Sequence, residues 1–344
     1  MNRKLYDAIL GLAIGDALGV PFEFKKRGSF LCTDMVGFGT HSQPKGTWSD
    51  DTSMVLATLD SLKSNNGKIV PEDMFVRFNH WLQNSDYTAH GEVFDAGIAT
   101  CSALRTGKPQ TGEYDNGNGS LMRILPLAFV PCTDDEIRAV SAITHGHQIS
   151  MDACVIYVRV AQRLLAGESI SQIIPTLRYD KPFDRLHRID QLSVGEIKSS
   201  GYVVDTLEAA LWAVSHKSNK AGKEKSFRND LLDAVNLGQD TDTVGAVAGG
   251  LAGIIYGLDE AADWVETLQN REELEKYLWD INMTSEVVCP HLWTNHPRGF
   301  SYYNTTNHPR ALFTLRSLIL QKKRTAPTCC PPFNHNNHHI PRSL

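Results

Sequence analysis

Gly238-Gln239-Asp240-Thr241-Asp242-Thr243, running directly into the small-residue segment 244–257, is the stretch that decides the fold. It sets two carboxylates and a hydroxyl within two residues of one another at the start of an apolar run. Gly245, Ala246, Gly249, Gly250, Ala252 and Gly253 give that run the profile of a helix built for close packing. Far upstream, Ser49-Asp50-Asp51-Thr52 repeats the arrangement: a hydroxyl, two acids, a hydroxyl, then apolar residues. Only folding can bring the two together. Aspartate at a helix start has an ordinary explanation, since it caps free N–H groups and complements the helix dipole. Two hydroxyl-flanked acidic clusters invite a second reading. Hard divalent cations such as Mg2+ and Mn2+ take oxygen ligands, and closely spaced buried carboxylates repel one another unless a cation neutralises them. The expectation is that the clusters meet at one pair of divalent metals.

Outward from that stretch, helical spacing dominates. Residues 4–18 place Leu5, Ile9, Leu12 and Ile14 among small residues and end at Pro21. A glycine-rich segment without period follows to Gly46. Ser49 or Asp50 caps a helix through Leu62, closed by Asn65-Asn66-Gly67, and Pro71 opens another through Leu82. Further helices are expected over 92–105, 134–145, 150–166, 169–177, 203–215 and 227–237, with helical signals continuing to Leu278. Residues 310–321 read as a last helix. Alternating strand patterns are nearly absent, apart from short ambiguous runs such as 202–204. The expected fold is all-α: a single compact multi-helix domain over residues 1–321. The Pro-, His- and Asn-rich residues 322–344 form a basic tail expected to be flexible.

The 344 residues can bury a substantial core, and 42% apolar with 21% charged residues describes an ordinary soluble protein. A formal charge of −5 argues against general nucleic-acid binding, although residues 287–344 carry seven Arg or Lys and no Asp or Glu. Seven cysteines without paired spacing give neither a zinc site nor a disulfide framework, so reduced thiols and a cytoplasmic location are expected. Arg3 and Lys4 ahead of the apolar residues 8–15 imitate a signal peptide. Asp7 and Asp16 bracket that run, which is therefore read as mature protein. No apolar run is expected to span a membrane, and oligomeric state is not legible.

Five ordered blocks carry a resemblance. Gly15-Asp16-Ala17-Leu18-Gly19, Pro21-Phe22-Glu23-Phe24, Ser49-Asp50-Asp51-Thr52, Gly117-Asn118-Gly119-Ser120-Leu121-Met122-Arg123 and residues 234–253 resemble the ADP-ribosylglycohydrolase family. The nearest branch is that of the bacterial dinitrogenase reductase-activating glycohydrolases, which act on ADP-ribosylarginine. The resemblance implies an all-α hydrolase that removes ADP-ribose from a modified protein and releases ADP-ribose, using two divalent cations, Mg2+ or Mn2+. It puts the metal ligands at Ser49, Asp50, Asp51, Asp240, Asp242 and Thr243. Asp95 matches the branch's Asp-Ile/Val-Gly segment and is the expected acid/base. Glu23, between apolar neighbours, is the second carboxylate, and the reverse assignment stays open. Asn116 to Arg123 would cradle the substrate, with Asn118, Gly119, Ser120, Met122 and Arg123 as the contacting residues and glycine letting backbone N–H groups face a pyrophosphate, and His145 or His147 would touch the nucleotide. Two alternatives stand beside this. One is hydrolysis of another ADP-ribosyl bond: serine-linked, on nucleic acid or on a small molecule. The other is a non-catalytic ADP-ribose-binding member, whose mark would be loss of the acids; here every matched acid position is filled.

Overall fold

The computed structural model describes residues 2–216 and 224–278, where all regular structure is helical and extended pairing is confined to isolated bridges. In chain order the helices are α1 Arg3–Gly19, α2 Asp50–Ser64, α3 Pro71–Asn84, α4 Ile98–Thr106, α5 Asp134–Ser141 and α6 Gln148–Leu165. They continue with α7 Ile170–Ile173, α8 Val203–Ser215, α9 Phe227–Val235, α10 Thr241–Tyr256, α11 Ala262–Thr267 and α12 Arg271–Lys276, with short 3-10 turns between them. The all-helical expectation holds. The expected helix over 310–321, the tail 322–344 and the domain limit at 321 lie outside the described residues.

The centre of the fold is the pairing of α1 with α10, both buried along nearly their whole lengths. Their backbones meet without intervening side chains. A Cβ on Gly15 would lie 1.9 Å from the carbonyl oxygen of Gly245, and one on Gly249 would lie 2.2 Å from that of Gly11. Only glycine permits this approach. α2, α6, α8 and α9 pack around α10, and α2 and α9 also touch α1. Each surrounding helix offers an apolar stripe, such as Met54, Val55 and Leu59 on α2 or Leu207, Ala210 and Leu211 on α8, all fully buried.

Three expectations change. α1 with the turn after it, residues 3–22, is in fact long and apolar enough to cross a membrane by length and composition. However, 89% of its most apolar window is buried inside the protein, where it serves as the central core helix. The helix expected over 92–105 begins only at Ile98, because Asp95 adopts a left-handed backbone (φ 58°) that no helix accommodates. The helix expected to reach His145 stops at Ser141, where Ser141 accepts through its carbonyl from both Thr144 and His145 and turns the chain.

A second turn sets up the site. Gly238 (φ 78°) and Gln239 (φ 66°) are both left-handed, and a Cβ on Gly238 would lie 2.6 Å from the Arg27 nitrogen. Gln239 N–H donates to Lys25 O (2.8 Å) and Phe24 N–H donates to Gln239 O (2.6 Å), so the Glu23 loop is tied to the start of α10.

Candidate metal centre and active site

The first turns of α2 and α10 converge on the end of α1. Ser49 caps α2, accepting from Asp51 N–H at 3.3 Å, and Asp50 and Asp51 occupy its first turn. Asp240 precedes α10, and Asp242 and Thr243 follow on its first turn. All six expected ligand positions therefore share one buried region, with Asp51 and Asp242 within 4.8 Å of each other through their carboxylate oxygens.

The donor set fits a cation. Asp51 Oδ1, Asp240 Oδ1 and Asp242 Oδ2 are buried and without any hydrogen-bond partner among the described residues. An unsatisfied buried polar atom costs about 1–3 kcal/mol and more when charged, and three on converging carboxylates are a cost that a positive ion offsets. Protonation tells the same story. Burial, and then the charges of neighbouring carboxylates, push Asp50, Asp51 and Asp242 well above the usual carboxylate range. Burial also raises Asp240, against the hydrogen bonds that favour its ionised form.

Asp16 was in the quoted α1 motif, yet spacing gave it no task. Its carboxylate reaches across the site and accepts from Ser49 N–H (3.0 Å), Thr52 N–H (3.1 Å) and Thr52 Oγ1 (2.6 Å). Asp16, Asp51 and Asp242 could share one ion. Because three donors from the start of α2 hold its carboxylate, Asp16 fixes where that helix begins. Its signal in the sequence was an acid closing the apolar, small-residue run of residues 8–15. Asp16→Ala is expected to weaken Mn2+ binding about 10- to 100-fold, the usual scale for losing a residue that orients ligands, as calorimetry would measure. Unchanged affinity would remove that role.

Glu23 and Asp95 meet beside the acid cluster, at its outer edge. Both are raised to about 10, by burial first; then Asp242, Asp240 and Asp50 act on Glu23, and Asp50 and Glu23 on Asp95. A third residue, missed in the sequence, joins them: His41 Nε2 hydrogen-bonds Glu23 Oε2 and lies 3.9 Å from Asp95 Oδ1. Burial keeps His41 below the ordinary histidine range. Nothing local marks it, since it stands in a glycine-rich loop with no period.

The expected cradle divides in two. Its beginning lines a cavity of about 550 Å³ bounded by Glu113, Tyr114, Asn116, Gly117, His147, Gly201 and Tyr202. That cavity adjoins the acids, for a Cβ on Gly201 would sit 3.0 Å from Asp240 Oδ2. The rest turns inward. Asn118 Nδ2 donates to Asp240 Oδ2 and to Thr206 Oγ1, both at 2.9 Å, so its side chain steadies an acid. Gly119 packs beneath His145, where a Cβ would lie 2.9 Å from the ring. Ser120 bonds Ser141 (2.9 Å), and Met122 is core.

Arg123 departs furthest from the expectation. It is fully buried, donates to Gly119 O (2.6 Å) and Val140 O (3.2 Å), and lies 4.6 Å from the centre of the Phe78 ring. Its charge supports the loop from behind. His145 is likewise buried and held by Thr144 Oγ1 (2.8 Å); burial lowers it to about 3, so the ring is neutral. His147 caps α6 and faces the cavity.

Residues 1–290 match the ADP-ribosylglycohydrolase family, and the chain belongs to it: it is a hydrolase that removes ADP-ribose. Among its relatives, the ADP-ribosylarginine hydrolase Tri1 of Pseudomonas putida is 35% identical over 286 residues, 78% of this chain and 75% of that one. The ADP-ribosyl-[dinitrogen reductase] glycohydrolase of Rhodospirillum rubrum is 31% identical over 289 residues, 80% of this chain and 93% of that one. A solved structure described as an ADP-ribosylglycohydrolase-related protein complex superposes with a TM-score of 0.65 at 33% identity, covering 80% of this chain and 95% of its own.

Proposed function

We propose that the protein hydrolyses the N-glycosidic bond joining ADP-ribose to an arginine of a modified protein. Two divalent cations, Mg2+ or Mn2+, would be held by Ser49, Asp50, Asp51, Asp240, Asp242 and Thr243. The observation that carries the reading is the set of three orphaned carboxylate oxygens, from α2, α10 and the turn before α10, lying under a pair of further acids. The arginine linkage is supported by the relatives named for it.

Bound there, the cations supply positive charge for the vicinal hydroxyls of the ribose and for a water. The residues supply the rest. Asp95 takes a proton from the water as its oxygen bonds to the anomeric carbon. The C–N bond breaks with its electron pair going to the guanidine nitrogen, and the proton is passed on to that leaving group. The acid cluster, ionised where it holds the cations, would stabilise the positive charge that develops on the ribose, with Glu23 as the second carboxyl beside Asp95. Burial holds Asp95 up first and the charge of Asp50 second; a cation beside Asp50 would remove the second cause and so lower Asp95. The cavity beyond Gly117 and Gly201 accommodates the nucleotide, with the backbone of the Gly117 turn facing the phosphates.

The test is direct. Incubated with Mn2+ or Mg2+ and an ADP-ribosylarginine protein, the enzyme is expected to release free ADP-ribose. A folded, metal-loaded enzyme that releases it from a serine-linked substrate and not from the arginine-linked one would overturn the linkage.

A further inference from the structure

The acids at the edge of the site do not stand alone. Phe24 follows Glu23 directly, and its backbone is left-handed at φ 62°, uncommon for a bulky residue. That conformation places a large apolar ring 66% exposed, with no packing return. Its ring centre lies 6.1 Å from that of His41, and the His41 ring lies 5.4 Å from that of Phe94. Phe94 is half-buried and directly precedes Asp95, itself left-handed at φ 58°. Two residues in left-handed backbone, one aromatic and one acidic, therefore lie beside the same histidine, and such strain gathers at ligand sites. The neighbouring ammonium of Lys25 is turned onto Phe22, 5.1 Å from its ring centre.

We propose that Phe24, His41 and Phe94 form the wall of an acceptor subsite beside Asp95 that takes the planar, cationic guanidinium of a modified arginine. The proposal rests on the arginine-linked reading above and deepens it. A guanidinium has a flat delocalised face suited to aromatic rings and N–H edges suited to a carboxylate, and here the rings and the Asp95 carboxylate are neighbours of one histidine. A hydroxyl-linked acceptor such as serine carries neither. The wall is thus a reader of the acceptor, distinct from the ligands that hold the ribose. His41 also ties the wall to the chemistry, because its bond to Glu23 fixes the ring that neighbours both phenylalanines.

The exposed Phe24 is the residue to change, since its loss opens no core cavity. With Mn2+ present, Phe24→Ala is expected to raise KM for ADP-ribosylarginine about fivefold, the scale of one partly exposed cation–aromatic contact, with kcat within about twofold. Free ADP-ribose should bind as in the wild type by calorimetry, and inhibition by agmatine should weaken in step with KM. Phe24→Trp should restore KM. An unchanged KM in Phe24→Ala, a fall confined to kcat, or an equal loss of ADP-ribose affinity would each overturn the subsite. Failure of the wild type to release ADP-ribose from arginine would instead sink the function on which the subsite depends.

Discussion

Asp242→Asn is expected to reduce release of ADP-ribose by at least about 1,000-fold, the scale for losing a group that stabilises charge in the transition state, while leaving the helical circular-dichroism spectrum intact. Asp242 stands where every part of the site meets, sharing one neighbourhood with Asp16 and Asp51 on one side and with Glu23, His41 and Asp95 on the other. The asparagine keeps the shape and removes the charge. Stability should move the opposite way in the metal-free protein. Burial, followed by Asp95 and Asp240, raises Asp242 well above 3.8, so its ionised form is the costly one. A carboxylate raised in this way leaves the fold most stable below its unfolded pKa and removes that stability as pH climbs through the folded value. Metal-free wild type should therefore lose melting temperature as pH rises above about 4, and Asp242→Asn should lose less. Added Mn2+ should raise the wild-type melting temperature, more at pH 8 than at pH 5, and the variant hardly at all. Turnover retained in Asp242→Asn, or an equal response to Mn2+, would refute the ligand assignment.

The second large effect lies in the core. Gly245→Ala is expected to cost at least about 3 kcal/mol, the upper range for forcing a methyl group into a packed interior, and to lower the melting temperature by about 6–12 °C. The new Cβ would lie 2.3 Å from Gly15 O and 2.9 Å from Gly15 C, both backbone atoms of a buried helix with nowhere to move. Relief requires α1 and α10 to part. Because Asp242 is one turn from Gly245 and Asp16 is beside Gly15, the same movement should loosen metal binding. Gly195→Ala is the control: nothing lies within 4 Å of its added Cβ, so a change below about 0.5 kcal/mol is expected. If Gly245→Ala melts with the control, the close approach is not what holds the core.

The sequence made much of this legible, and its silences are specific. Gly11, Gly15, Gly245 and Gly249 announced closely packed helices, because glycine in a helix interior is destabilising unless something must come near. The paired acids beside hydroxyls at two helix starts pointed to a candidate cation site, because buried like charges at such spacing repel unless an ion neutralises them. The segment 203–215 was read at the bounds that α8 shows. Asp95 was read within a helix, since its left-handed backbone comes from its surroundings and local propensity contains nothing of it. Arg123 was taken for a ligand-facing charge. Whether a guanidinium faces a cavity or the back of a loop depends on which way the turn before it folds, and that turn answers to Thr206, Asp240 and Gly201 far along the chain.

By itself, then, the sequence determined the helical architecture and the family. The helices rest on residue type and spacing within one segment, where the physics is local, and the family on five ordered blocks whose resemblance also supplied the six candidate ligand positions. Only the tertiary structure decided that Asp16 sets the start of α2, that Asn118 and Arg123 brace the site from within, and that His41 stands between Glu23 and Asp95. Those roles are contacts between segments with no common period, which only the packing of the helices brings within reach of one another.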